Sequence, residues 1–206
     1  EWHGPHLPAG TDGLQVDALA THCAREIGGV AFPTLYYGEP RLESLMDSNP
    51  KHGPAIADGW KLTFETFTDH YPASKREQVR NYTRLLIHIL AEAATLGFQH
   101  TVILAGHFPL IDWATSAALL FNQRSRGNGM KAWACMHYNL IRNDVGDNDE
   151  HAGLYETSSI LADFPLAVDM NALPQGDEPI VGVMQGDRNV RDATAEFGVT
   201  IRDAAV

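Results

Sequence analysis

The stretch His100-Thr-Val-Ile-Leu-Ala105 constrains the fold more than any other part of the chain. It is short, almost wholly apolar, and closed by Gly97 on one side and Gly106 on the other. A strand with one wet face alternates polar and apolar residues, whereas a continuous apolar run this short reads as a strand covered on both faces of a parallel sheet. Parallel strands need crossover connections, usually helices, and helical patterns flank this one on both sides. Residues 72–97 place Val79, Tyr82, Leu85, Leu86, Ile89, Leu90, Ala93 and Leu96 on one stripe, with Gly97 as the stop. A second helix is expected from Pro109 to about Ser125, followed by an apolar strand over 130–137. The pattern is that of an α/β fold.

The remaining segments continue the alternation. From Asp12, the positions Val16, Leu19, Ala20, Cys23 and Ile27 recur at helical spacing, with Asp12 as a capping residue and Gly28-Gly29 as the close. Val30 to Tyr37 is a β-branched and aromatic run interrupted by Pro33, which reads as a buried strand. Residues 39–69 carry several prolines and glycines and read either as a lid or subunit contact or as an ordinary surface excursion. A helix is expected over 154–164, with His151 at or just before its N-terminus and Glu156 in its first turns. The tail past Pro165 reads mostly as loop and edge, and Ile201 to Val206 as part of a helix.

With 206 residues, 44% of them hydrophobic, the chain can bury one good core, so a single domain over 1–206 is the simplest expectation. Its net charge of −11, with no local cluster of Lys or Arg, argues against a nucleic-acid or anionic-membrane partner. No apolar run approaches the length of a membrane span. Cys23 and Cys135 lie inside apolar periodic segments without metal-type spacing, as expected of free thiols in a reducing, cytoplasmic compartment.

Metal-binding side chains gather at three places. Glu1, His3, His6 and Asp12 crowd the first twelve residues; His107 follows the apolar strand, where ligands of open α/β sheets collect; His151 and Glu156 flank a helix start. Carboxylate with imidazole is a borderline ligand set, suited to zinc, manganese or iron rather than calcium. Two such ions need a bridging carboxylate, for which Asp12 is the natural choice.

These residues resemble the creatininase (creatinine amidohydrolase) family. The family's first block, Glu-x-His-Gly-Pro-His-Leu-Pro-x-x-Thr-Asp, is matched without a gap by Glu1 to Asp12, and its third, His-Ala-Gly-x-x-Glu-Thr-Ser, by His151 to Ser158. The second block keeps only Gly106-His107, with Pro109 where creatininase carries a carboxylate. The resemblance covers roughly residues 1 to 165 and implies a three-layer αβα sandwich around a mostly parallel sheet, with a strand expected upstream of Glu1; the helical pattern at Ile201 to Val206 leads to the expectation of a C-terminus that is cut short. It further implies a hydrolase with two divalent ions, zinc and/or manganese with iron also compatible, acting on a C–N bond of a small cyclic or linear amide. A homo-oligomer, often a hexamer, is implied as well. Glu1, Asp12 and His107 would hold one ion; His3, Asp12 and a further carboxylate the other. Glu156 is the replacement for the carboxylate absent at Pro109. His6 would orient the ligands, and His151 would carry a proton between nucleophile and leaving group. Two alternatives stand beside this reading: the same site opening a lactone or cyclic ketone, and a metal-stabilised oligomer subunit without catalysis.

Overall fold

The computed structural model describes residues 2–36, 75–124, 129–146, 150–176 and 180–206. In chain order the elements are α1 (Thr11–Ile27), α2 (Lys75–Thr95), β1 (His100–Leu104), α3 (Leu110–Arg124), β2 (Lys131–Cys135), α4 (His137–Val145), α5 (Leu154–Asp163) and α6 (Ala195–Ala204). Three-residue 3-10 turns occur at Pro165–Ala167, Met170–Ala172 and Val190–Asp192. The chain forms two compact units, one drawing its described residues from 2–36 and 141–206, the other from 75–140.

The second unit is an α/β alternation. β1 and β2 pair in parallel, in register from His100 opposite Lys131 to Leu104 opposite Cys135, with α3 as the crossover between them. Leu86 and Leu90 of α2 pack with Ala117 and Phe121 of α3 and with Met130 and Ala132 around β2. The alanines let α3 approach the strand closely, and Asn122 uses that closeness. Its amide donates to the Ala132 carbonyl at 2.8 Å while its oxygen accepts the Ala132 N–H at 2.9 Å. It thus satisfies backbone groups that a further strand would otherwise have to pair. α2 stops as expected: Gly97 takes φ +91°, and the Phe98 N–H reaches back to the Ala93 carbonyl at 3.3 Å.

Two expectations for this unit change. β1 is not covered on both faces, because Val102 and its register partner Trp133 are 52% and 53% exposed. The apolar stripe of α2 is also narrower than its sequence pattern. Leu86, Leu90 and Ala93 are buried, whereas Leu85, Ile89 and Leu96, about a third of a turn away, stay exposed.

In the first unit α1 begins at Thr11, with Gly10 at the N-cap position. Thr11 is fully buried, and its hydroxyl donates to the Pro8 carbonyl at 2.7 Å. Asp12 is therefore the second residue of the helix and does not cap it, which leaves its carboxylate for other partners. Among the described residues, Val30 to Tyr36 forms no strand, and Tyr37 lies outside them. Side-chain contacts with α1 hold the segment. The Tyr36 ring fills the space beside Gly13, where a Cβ would lie 2.4 Å from Cδ1, and the Thr34 hydroxyl donates to Asp17 at 2.8 Å. The expected lid or contact over 39–69 also lies outside the described residues.

α5 packs against α1 and, more extensively, α6. The α5–α6 crossing is tight because of Gly198, where a Cβ would fall 1.9 Å from the Ser158 carbonyl oxygen. The tail is thus more ordered than a loop, with α6 capped by the Thr194 hydroxyl, which accepts the Phe197 N–H at 3.1 Å. Leu7, Ile160, Leu173, Ile180, Val183 and Val190 form this unit's core. No helix among the described residues is long and apolar enough to cross a membrane.

Candidate metal centre

The first unit brings four of the expected residues together. His3 is delivered by the turn that precedes α1, where Gly4 (φ +68°) lies against Gly182 (φ +76°). A Cβ on Gly182 would come 3.0 Å from the Gly4 nitrogen, so the backbones touch because neither residue carries a side chain. His3 Nε2 lies 3.0 Å from Asp12 Oδ1 and 3.6 Å from Glu156 Oε2. Its ring centroid is 4.4 Å from that of His151.

His151 is fixed through its backbone and its ring. Its N–H and carbonyl both pair with Met184, at 2.9 and 2.8 Å. Its Nε2 lies 2.9 Å from the Trp2 carbonyl, and because a carbonyl can only accept, Nε2 is the donor in this bond. Ala152 then turns the chain into α5 at φ +51°, a left-handed conformation that costs a non-glycine residue about 1 kcal/mol or more.

Glu156 is the third residue of α5 and reaches back, with Oε2 accepting the Ala152 N–H at 2.6 Å. The helix start has Gly153 at its N-cap position, with no side chain to satisfy the exposed N–H groups. Glu150 supplies that function. Its Oε1 accepts from the main chain of Tyr155 at 2.6 Å and of Glu156 at 3.2 Å. Gly153 makes the approach possible, since a Cβ there would lie 2.4 Å from Glu150 Oε2. Burial, together with the charge of Glu156, pushes the Glu150 carboxyl up to about 7.

His6 stands behind the cluster, buried, with Nε2 2.9 Å from the Thr157 hydroxyl of α5. Burial, and secondarily the neighbouring His3, lowers it to about 4, so it is neutral at physiological pH. Glu1 lies outside the described residues. His107 belongs to the second unit, in the turn from β1 to α3, where its carbonyl accepts the Leu110 N–H at 3.0 Å.

The arrangement fits a divalent cation. One ligand atom each from His3, His151 and Glu156 lie within 4.8 Å of one another, on residues that are 1%, 9% and 6% exposed. The 3.6 Å between His3 and Glu156 is long for a hydrogen bond. It is close to the ~3.4 Å that separates two ligands about 2.1 Å from one tetrahedral ion.

The sequence profile of the creatininase family, described as creatinine amidohydrolase, matches residues 52–205. The chain belongs to the creatininase family. A creatinine amidohydrolase from Pseudomonas putida is 24% identical over 185 residues, covering 83% of this chain and 64% of its own length. A mutant creatininase of Zn-Zn type superposes with a TM-score of 0.73 at 20% identity, over 100% of this chain and 82% of that one. A manganese creatininase gives a TM-score of 0.72 at 20% identity, with the same coverage. The fold is therefore the mixed α/β creatininase fold, with parallel strands.

The sequence motifs named His3, Asp12, His151 and Glu156, which the structure brings together, and His6, which stands behind them on Thr157. They did not point to Glu150, to the Trp2 carbonyl or to Met184. Glu150 had one available signal, as an acidic residue shortly before a helix whose cap position is glycine.

Proposed function

We propose that the chain is a metal-dependent amidohydrolase that cleaves a C–N bond of a small cyclic or linear amide. The observation that carries this reading is the position of His3 Nε2 between the carboxylates of Asp12 and Glu156. His3, Asp12 and Glu156 would hold metal, with Asp12 as the bridging carboxylate if two ions bind and Glu156 in place of the carboxylate absent at Pro109. The sequence match extends the proposed ligand set to Glu1 and His107. Zinc and manganese are the ions that this donor chemistry favours, with iron also compatible.

Such ions lower the pKa of water and polarise a carbonyl. The chain's own residues must then move a proton to the departing nitrogen. Two residues entering α5 are placed for this. One is His151, the carrier expected from the sequence; the other is Glu150, whose carboxyl in the metal-free chain is pushed up to about 7 by burial and by the charge of Glu156. His6, neutral and bonded to Thr157, ties the His3 turn to α5. A small-molecule substrate and a homo-oligomer belong to the same proposal.

The test is turnover of a panel of cyclic and linear amides by the full chain after chelation and reloading with zinc or manganese. Activity that disappears with chelation, returns with metal and is abolished in His3→Ala supports the reading. Activity confined to lactones in a parallel panel would replace it with ester chemistry. Pro109 favours one further reading, a metal-stabilised subunit without catalysis, which predicts bound metal and no turnover on either panel.

A further inference from the structure

We propose that the start of α4 is a carboxylate-binding site, where His137 Nδ1 and the first main-chain N–H groups of the helix hold the two oxygens of a small monocarboxylate. The inference goes beyond the metal-dependent reading and does not rest on it. Strand β2 runs through Met136 directly into α4, just past the last rung of the parallel ladder, in which the Ala105 N–H donates to the Cys135 carbonyl at 2.9 Å. Ligands of open α/β sheets gather beyond the carboxyl ends of such strands. The helix that begins there is nine residues long, and its first turn holds no acidic residue. Met136, immediately before it, has no side-chain oxygen to act as a cap. The Asn139 N–H is met by the Met136 carbonyl at 3.1 Å, but the N–H groups before it have no partner within the helix. The aligned peptide dipoles give this end about half a positive charge.

His137 supplies an independent observation. It is the first residue of α4, 4% exposed, and its Nδ1 has no hydrogen-bond partner among the described residues. Buried polar atoms in folded proteins are almost always paired, so this one calls for a group that the described chain does not supply. Burial lowers the imidazole to about 4, so at neutral pH the ring carries one N–H and one lone pair. The helix decides which of them faces the ligand. A cationic donor is repelled by the positive helix end and an anionic acceptor is drawn to it, so Nδ1 takes the N–H and the ligand the negative charge. Nδ1 is the ring nitrogen nearer the main chain, which brings an oxygen bound to it towards the helix N–H groups. The Tyr138 ring, with its centroid 3.9 Å away and its plane tilted by 38°, covers a face of the imidazole and leaves the in-plane hydrogen bonds to the ligand. Two kinds of donor match two oxygens, and a doubly charged ion would cost more to bury here than a single carboxylate.

The experiment is titration of the full chain, freed of metal and then of chelator, with acetate at neutral pH and constant ionic strength, against a chloride control. Imidazole nitrogen NMR of histidine-labelled protein reads the tautomer of His137, and calorimetry reads the affinity. The expected result is a saturable shift of the His137 signal to the Nδ1–H form with acetate and none with chloride. His137→Phe, which removes the donor, should weaken acetate binding by about 10-fold or more, as loss of a hydrogen bond to a charged group does. His137→Asn places an amide N–H near the position of Nδ1 and should stay within about 3-fold of wild type. A His137 signal that acetate does not move, or that chloride moves equally, would overturn the proposal without recourse to a variant, and so would wild-type affinity in a folded His137→Phe chain. Because the protein carries no metal in this titration, none of these outcomes bears on the metal-dependent reading, which its own turnover assay decides.

Discussion

At the scale of single residues the centre depends on Gly153 as much as on its ligands. A methyl group there would occupy the place of the Glu150 carboxylate, 2.4 Å from Oε2. Gly153→Ala should therefore uncap α5, lowering stability by about 1–2 kcal/mol in denaturant unfolding and weakening metal binding through displacement of Glu156. Glu150 also sets a pH dependence. Its folded value of about 7 lies above the ordinary 4.5, so between those values the folded chain keeps a proton that the unfolded chain has released. Its stabilising contribution is complete below about 4.5 and is lost as pH rises through about 7. Glu150→Gln should gain on wild type by roughly 1–3 kcal/mol between pH 5 and 8, measured under chelation. His6 and His137, both lowered from 6.5 to about 4 chiefly by burial, act in the opposite direction: their contribution is present above 6.5 and declines as pH falls towards 4. The ligating side chains were legible in the sequence because they sit in contiguous motifs with chemistry of their own. Glu150 was not, because its role is set by where a backbone ends, and the Trp2 carbonyl carries no side-chain signal at all.

At the scale of elements, α5 bears the site and α6 braces it. Gly198→Ala would drive a methyl group into the Ser158 carbonyl and against the Ala162 methyl, 2.8 Å away. The helices must separate, and a loss of about 2–4 kcal/mol is expected from thermal or denaturant unfolding, with weaker metal binding because Glu156 rides on α5. Helices with a clear apolar periodicity were readable in the sequence: α1, α2 and α5 lie within a few residues of their expected spans, although the expected cap at Asp12 did not form. The run from Val30 was not, since β-branched and aromatic residues signal a pleated surface without saying which surface they will find. Here Tyr36 and Thr34 found α1. The alternation of β1, α3 and β2 was legible for the same reason that it forms, namely that parallel strands must be joined by a crossover.

At the scale of the whole molecule, bound metal should raise stability by mass action. Ion at 100 times its dissociation constant contributes about 2.7 kcal/mol, so chelation should lower the melting temperature by several degrees in differential scanning calorimetry. An unchanged melting temperature would mean that no ion had been stabilising the fold. The contact between Gly4 and Gly182 has its own consequence. It joins the two halves of the ligand set across nearly the full length of the described chain, as does the 149-residue separation between Trp2 and His151. Such closure is a late event in folding, because a long loop must lose its entropy before any contact rewards it. During synthesis, a chain that has emerged only as far as Asp149 exposes His3 and Asp12 without the partners that narrow their choice of ion. Metal selection is thus deferred until residues 180–184 have been made, and the arrival of that segment sets the moment at which the centre can close.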